Sequence, residues 1–311
     1  MKHWSEMSAS WHQDYERGRP GYPRDVVRVP GLATSATVLE VGAGTGKLTR
    51  LLVTECGHVL SIEPDPEMRR WLSALCSRSL LLAGTAEQVP LADASVDGLF
   101  AAECFHWFAH ERALAEFARV LRPRGALVLM WNRPSGPTSG PTEPPIPAVE
   151  QLLEPYWPKE IDLPLDLDPN RLPHARDWPR AFAQSMFEPL QEQRFANPQT
   201  TDRDGLLAFF GSMGWIGTLA DEQRLTLLAQ VRSRLTASRY RLPFETRVHW
   251  TRLTRSRTRS ARGSGGHRRR SRRLPTTVIP PRRPSRGGCP CWPTRPTLTT
   301  PLGTIASAVR S

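Results

Sequence analysis

The sequence predicts an α/β fold: a Rossmann-like, doubly wound, mostly parallel seven-stranded sheet with helices on both faces. Three observations predict it. An apolar run at 38–41 is typical of a buried parallel strand. Glycines at 42, 44 and 46 follow at once, and leucines then recur at helical spacing over 48–52. Apolar strands and amphipathic helices alternate from there to Asn132, which is the pattern of a sheet covered by helices.

Each further element is predicted from its own local pattern. Residues 7–23 are expected to form a helix and its exit, which Pro20 and Pro23 terminate. The remaining strands are predicted at 59–63, 80–83, 96–101, 126–131, 187–195 and 242–250. Helices are predicted at 66–76 and 109–121, with an interrupted helical pattern over 202–235.

The chain is expected to fall into four segments. Residues 1–36 form either a helical lid or a flap packed on the core by its aromatic side chains. Residues 37–132 form the Rossmann-like core, and 133–253 form a variable helical insert with the last strands. Six prolines over 133–147 indicate a loop or linker. Residues 254–311 are predicted to be a disordered tail.

The tail carries the charge excess. The net charge is +12, but residues 255–311 hold 14 of the 42 basic residues and no acidic residue. The other 28 basic residues therefore stand against 30 acidic ones. A nucleic-acid partner is accordingly not expected, except non-specifically through the tail. The tail is either a basic disordered arm or the product of a shifted reading frame, and its lack of any lysine or acid favours the second.

Composition excludes several classes of protein. No run of 18 apolar residues is present, so no transmembrane helix is expected, and the N-terminus has no signal-peptide core. The five cysteines show no metal-binding spacing, so no metal site is expected. A reducing cytoplasm is the predicted location.

The glycine spacing discriminates among nucleotide-binding folds. A dinucleotide fingerprint needs a third glycine at position 47, where this chain has Lys47. A phosphate-binding P-loop needs Ser or Thr after Gly-Lys, but Leu48 follows. An NAD(P)-dependent oxidoreductase therefore remains only as the alternative reading.

Two groups of polar and aromatic residues follow strands of the predicted sheet. Glu63 ends the second strand, where an acid can bind both ribose hydroxyls or, alternatively, cap the next helix. The fourth strand is followed by Glu103, Phe105, His106 and Trp107. Ligands of doubly wound sheets bind beyond the carboxyl ends of the strands, so both groups are expected at one site.

These residues together resemble the class I S-adenosylmethionine (SAM)-dependent methyltransferases. The motif Glu-x-Gly-x-Gly-x-Gly at 40–46 is similar to their motif I. Within this class, the chain most resembles the branch of small-molecule methyltransferases of type 11, which includes proteins similar to trans-aconitate methyltransferase. The shared motifs are Arg-Pro-x-Tyr-Pro at 19–23, Ala-Glu-x-x-Pro at 86–90, Phe-His-Trp-Phe at 105–108, Arg-Val-Leu-Arg-Pro-x-Gly at 119–125 and Leu-Pro-Phe-x-Thr at 242–246.

The resemblance implies SAM as cofactor and names its contacts. The three glycines approach the methionine part, Glu63 holds the ribose, and the turn at 85–87 flanks the adenine. Many relatives have Asp where Thr85 stands, so the adenine contact is altered here. The implied cofactor residues are Glu40, Gly42, Ala43, Gly44, Thr45, Gly46, Glu63, Thr85, Ala86, Glu87, Glu103, Phe105 and Trp107.

The resemblance implies methyl transfer to a small-molecule acceptor by in-line displacement. The acceptor atom is expected to be an oxygen of a carboxylate or hydroxyl. His106 is the first candidate for a general base, with Tyr15 and Tyr22 next, and the alternative is that His106 only forms part of an aromatic wall. A carboxylate needs no base, and Arg19 could then orient it. A catalytically inactive fold that binds nucleic acid through the tail is the non-enzyme alternative.

Overall fold

The structure is a computed structural model that describes residues 7, 9–108, 110–135, 146–156 and 178–254. The predicted tail therefore lies outside the described residues. The strands are β1 Thr37–Val41, β2 His58–Ile62, β3 Leu80–Leu82, β4 Val96–Ala102, β5 Leu121–Pro134, β6 Gln191–Ala196, β7 Gln199–Asp202, β8 Arg239–Leu242 and β9 Phe244–Arg252. The helices are α1 Ala9–Gly18, α2 Thr49–Glu55, α3 Pro66–Leu75, α4 His110–Val120, α5 Ile146–Leu153, α6 Trp178–Ala181, α7 Arg203–Gly211, α8 Gly214–Gly217 and α9 Asp221–Arg234.

Seven strands form the main sheet in the order β3-β2-β1-β4-β5-β9-β6. The first five run parallel to one another, whereas β9 is antiparallel to both β5 and β6. The chain order reverses between β1 and β4, and this point is where doubly wound sheets bind ligands. The predicted mostly parallel seven-stranded sheet is confirmed.

Helices cover both faces of this sheet because the central strands are apolar on both sides. β4 buries six of its seven residues, in the pattern expected of a strand inside a doubly wound sheet. Leu114 and Phe117 of α4 pack on one face with Leu99 and Leu127. On the other face, Leu52 and Leu72 pack from α2 and α3. The carboxyl ends of the parallel strands are left open for a site.

The last third of the described chain builds a separate apolar cluster. Phe210, Leu227 and Val231 lie at its centre and are fully buried. β7 and β8 pair antiparallel beside it as a two-stranded sheet that the sequence pattern did not predict. Asp202 accepts the Gly205 N–H and so caps the start of α7.

Several predicted boundaries were wrong, among them the start of β6 at Gln191 rather than at 187. β5 begins at Leu121 rather than Ala126, because Leu121 pairs with Val96 before the register shift at residues 122–125, and the ladder resumes where Ala126 pairs with Gly98. The strand does not end at 131 as predicted, since β5 runs to Pro134, which pairs with Phe244. The single last strand predicted at 242–250 is divided into β8 and β9 at Pro243, which has no N–H for a ladder.

Among the residues that the structure describes, no helix is both long and apolar enough to cross a membrane.

Candidate functional site

A glycine loop connects β1 to α2 at the carboxyl edge of the sheet. The N–H groups of Gly42 and Ala43 both donate to the Ile62 carbonyl at 2.9 and 3.1 Å, which fixes the loop against β2. All three glycines, at 42, 44 and 46, have positive φ angles of 68°, 58° and 87°. A Cβ on Gly42 would lie 2.8 Å from Cys104 Sγ, so the loop cannot carry a side chain there.

The Glu63 carboxylate is fixed beside this loop. It lies just beyond β2 and is 7% exposed. Its Oε2 accepts the Gly44 N–H at 2.8 Å and its Oε1 accepts the Asp65 N–H at 2.9 Å. Burial raises the pKa of Glu63, and these two hydrogen bonds partly offset that effect. The predicted acid and the predicted glycine loop are therefore in direct contact.

Glu40 lies beneath the loop rather than on its surface. Its side chain is 1% exposed and accepts a hydrogen bond from the Thr49 hydroxyl at the start of α2. Burial raises the pKa of Glu40 to about 8. Thr45, in the loop itself, is 1% exposed, and its Oγ1 has no hydrogen-bond partner among the described residues. A buried hydroxyl of this kind is matched either by an ordered water or by a polar group of a ligand.

Glu103 occupies a strained position at the end of β4. Its φ of 57° is in the left-handed region that side chains disfavour. Its N–H donates to the Met130 carbonyl at 2.9 Å, and its Oε1 accepts the Asn132 N–H. Arg133 Nη1 lies 3.9 Å from its other carboxylate oxygen. Two neighbouring strand ends thus hold this acid at the switch point of the sheet.

The aromatic residues after β4 divide between core and site. Phe105 is fully buried and its ring packs against Phe117, Trp178 and Phe182. Its side chain therefore belongs to the core and is not exposed for a cofactor contact. Trp107 is 36% exposed and is the member of this run that reaches the surface.

His106 is held by the core on one side. It is 3% exposed, and its Nδ1 accepts the indole N–H of Trp131 at 3.3 Å. An indole N–H can only donate, so Nδ1 carries no proton and the neutral ring carries its proton on Nε2. In this state His106 can donate a hydrogen bond through Nε2 but has no basic nitrogen free for an acceptor proton.

The turn predicted to flank the adenine follows β3. Thr85 is exposed and forms a short bridge with Gln88, whose N–H donates to the Thr85 carbonyl at 3.3 Å. Ala86 is buried and Glu87 is half-buried. Thr85 therefore lies at the surface, and its contact with an adenine stays a prediction.

The N-terminal helix α1 lies over the glycine loop. A Cβ built on Gly44 would be 3.8 Å from the Tyr15 ring, and burial raises the pKa of the Tyr15 phenol. The Arg19 guanidinium lies 5.6 Å from the centre of that ring. Its Nε and Nη2 donate to Ser212 at 2.9 and 3.1 Å. One of its two donor edges is thus already engaged, which limits the expected bidentate contact with an acceptor carboxylate.

Known proteins are similar to this chain over the same region. The sequence profile of a family described as a methyltransferase domain matches residues 39–129. The chain therefore carries a class I methyltransferase domain. An uncharacterized methyltransferase of Mycobacterium tuberculosis is 48% identical over 118 residues, which are 38% of this chain and 49% of that protein. The chain spans about half the length of the curated relatives that it matches.

Further relatives agree with this assignment. The malonyl-[acyl-carrier protein] O-methyltransferase of Methylococcus capsulatus is 40% identical over 98 residues, 30% of this chain and 36% of that protein. A solved structure titled a putative type II methyltransferase, from Anaeromyxobacter dehalogenans, has a TM-score of 0.52 at 24% identity. The alignment covers 76% of this chain and 97% of the Anaeromyxobacter protein. This similarity supports the fold of the methyltransferase domain.

S-adenosylmethionine is the cofactor of such a domain, and the residues present fit it. The loop has no Cβ at 42, 44 and 46, so its backbone leaves room for a cofactor to approach closely. The Glu63 carboxylate faces the loop and can accept from the ribose hydroxyls. The unpartnered Thr45 hydroxyl supplies a further polar group at the loop.

The buried acid beneath the loop makes the unliganded domain sensitive to pH. Between the ordinary glutamate pKa of 4.5 and about 8, folded Glu40 keeps a proton that the unfolded chain releases. Raising the pH from 5 to 8 therefore lowers the free energy of unfolding, by at most about 1.4 kcal/mol per pH unit for one proton. We expect urea unfolding at pH 5, 6.5 and 8 to show this slope.

Two variants check the cause of that slope. Glu40→Gln cannot titrate and should reduce the slope, leaving the part that the raised pKa of Glu63 contributes. Glu116→Gln is the control, because a hydrogen bond from Arg119 lowers the pKa of Glu116 and keeps that carboxyl ionised over the whole interval. An equal flattening in both variants would contradict the assignment to Glu40.

Proposed function

We propose that this chain transfers the methyl group of S-adenosylmethionine to an oxygen of a small-molecule acceptor, either a carboxylate or a hydroxyl. The observation that carries the proposal is the Glu63 carboxylate beside the glycine loop, held by the Gly44 N–H at 2.8 Å. An acid at this point of a βαβ unit is suited to bind both ribose hydroxyls. When bound, the cofactor supplies a methyl group already activated by its sulfonium.

Two features support oxygen as the acceptor atom. The O-methyltransferase of Methylococcus capsulatus is named for an oxygen product, and it shares 40% identity with part of this domain. In this chain, β4 is followed by Glu103-Cys104-Phe105 rather than by the Asn/Asp-Pro-Pro-aromatic run used on amino groups. Both features favour a small acid or alcohol over a nucleic-acid base.

The chain's own residues have mainly to bind, orient and exclude water. The glycine loop and Glu63 hold the cofactor, while Glu103 and Trp107 border the reacting end. Burial raises the pKa of Tyr15 and of Tyr22, so both phenols stay protonated near neutral pH. They can donate hydrogen bonds to an acceptor oxygen, which aligns it for displacement.

The need for a base depends on the acceptor. A carboxylate is already ionised at neutral pH, and its methylation requires no proton transfer. A hydroxyl must lose its proton, yet His106 has its Nδ1 engaged by Trp131 and carries its proton on Nε2. The geometry therefore favours an acceptor that is acidic on its own, such as a carboxylic acid or an acidic phenol.

Calorimetric titration of S-adenosylmethionine and its demethylated product into the full chain tests the cofactor half of the proposal. We expect dissociation constants in the micromolar range for both. Transfer of a labelled methyl group to carboxylic acids, phenols, alcohols and amines then tests the acceptor half. Binding of NAD(P) in place of S-adenosylmethionine would overturn the proposal, and labelling of amines alone would overturn its acceptor class.

A further inference from the structure

A buried group of amide and hydroxyl side chains holds the N-terminal segment, residues 9–23, against the sheet. The carbonyl of Gly21 accepts hydrogen bonds from Asn197 Nδ2 at 2.8 Å and Asn132 Nδ2 at 3.2 Å. Asn197 Nδ2 also donates to Asn132 Oδ1 at 2.9 Å, and the Thr246 hydroxyl donates to the same oxygen at 2.6 Å. We name these three side chains the amide clasp.

The amide clasp brings together parts of the chain that are far apart in sequence. Asn132 lies near the end of β5, Thr246 lies on β9, and Asn197 lies between β6 and β7. Their exposures are 6%, 0% and 7%, so no bulk water substitutes for a missing partner. Each polar atom has a matching partner, since Asn197 Oδ1 accepts from Gln199 Nε2 at 2.7 Å. Such a network specifies one position of the segment.

Asn132 joins this clasp to the candidate site. Its backbone N–H donates to the Glu103 carboxylate, while its side chain reaches the Gly21 carbonyl. Tyr22 follows Gly21 in the chain, and its phenol is buried close to Glu103 and Tyr15. The three side chains interact electrostatically with one another. The position of Gly21 therefore determines where both phenols stand relative to Glu103.

We infer that Asn132 and Asn197 are positioning residues that hold the N-terminal segment closed over the cofactor edge of the sheet. Asn197 lies after β6, and among the described residues it is linked to the site through Gly21 and Asn132. Its amide is required because two acceptors, a carbonyl and an amide oxygen, converge on one nitrogen. The consequence for catalysis rests on the proposed function, whereas the clasp itself is a property of the unliganded chain.

Amide hydrogen exchange of the unliganded full chain tests the clasp directly. In Asn197→Ala the Gly21 carbonyl keeps only its longer hydrogen bond, and we expect exchange across 9–22 to become about tenfold faster. Calorimetry should show the dissociation constant of S-adenosylmethionine rising by about tenfold, because the closed segment is then less populated.

A matched pair on β9 separates positioning from general stability. Thr246→Val removes the hydroxyl that donates to Asn132 Oδ1. This variant also tests the clasp if Asn197→Ala does not fold. Thr251→Val removes an equally buried hydroxyl that donates to the Glu188 carbonyl, away from the clasp. We expect only Thr246→Val to speed exchange across 9–22. Equal exchange in the two valine variants overturns the inference, and so does an unchanged segment in Asn197→Ala.

The two proposals fail in different ways. If the wild-type chain binds no S-adenosylmethionine but the variants show the expected exchange pattern, the proposed function is refuted and the amide clasp is supported. If the wild type and Asn197→Ala bind the cofactor equally well, the proposed function is supported and the positioning role of Asn197 is refuted.

Discussion

Glu63→Ala is expected to weaken S-adenosylmethionine binding by about 100-fold, since the two charge-assisted hydrogen bonds that we propose to the ribose are lost together. The structure gives a second reason for a large effect. Glu63 Oε2 also holds the Gly44 N–H, so its removal frees the middle of the glycine loop. Calorimetric titration of the full-length variant measures the loss. Glu63→Gln should lose nearly as much, because its amide nitrogen would face the N–H of either Gly44 or Asp65.

The control for this prediction is Glu67→Ala. Glu67 lies four residues further on, at the start of α3, and its carboxylate forms an exposed ion pair with Arg70. Exposed pairs of this kind contribute little to stability. Its removal should leave the dissociation constant unchanged. If Glu63→Ala bound S-adenosylmethionine with wild-type affinity, Glu63 would not hold the cofactor, and the proposed function would lose its main support.

The parallel half of the sheet could be predicted because local sequence encodes it. β2, β4, α3 and α4 each begin and end within one residue of their predicted limits. These elements combine apolar runs or helical periodicity with clear terminators such as Pro64. The glycine loop and Glu63 were predicted for the same reason, since both belong to one βαβ unit.

The rest depends on contacts between distant parts of the chain. β7 and β8 are short, and their pairing of Thr200 with Arg241 spans about 40 residues, so neither has a local signal. Asn197 precedes a proline and reads as an ordinary loop residue, although it meets Gly21 across 176 positions. Phe105 was expected at the site because it follows β4, but neighbours such as Trp178 that draw it into the core come from another segment.

Gly18→Ala is expected to destabilise the chain by about 3 kcal/mol, at the upper end of the usual cost of overpacking. Gly18 is the last residue of α1 and lies directly against α7. A Cβ at this position would be 2.1 Å from the backbone nitrogen of Phe209 and 2.3 Å from the carbonyl carbon of Ala208. Backbone atoms cannot rotate away as a side chain could, so the two helices must separate. Urea unfolding of the unliganded chain measures the change.

Gly21→Ala is the matched control three residues further along. Nothing lies within 4 Å of a Cβ built there, and the backbone is outside the left-handed region. Its carbonyl still accepts both hydrogen bonds of the amide clasp, so the free energy of unfolding should change by no more than about 0.5 kcal/mol. Separation of α1 from α7 also moves Tyr15 off the glycine loop, and Gly18→Ala should therefore weaken cofactor binding as well. If both variants were equally stable, the close contact between α1 and α7 would not exist in solution, and α1 could not hold Tyr15 over the site.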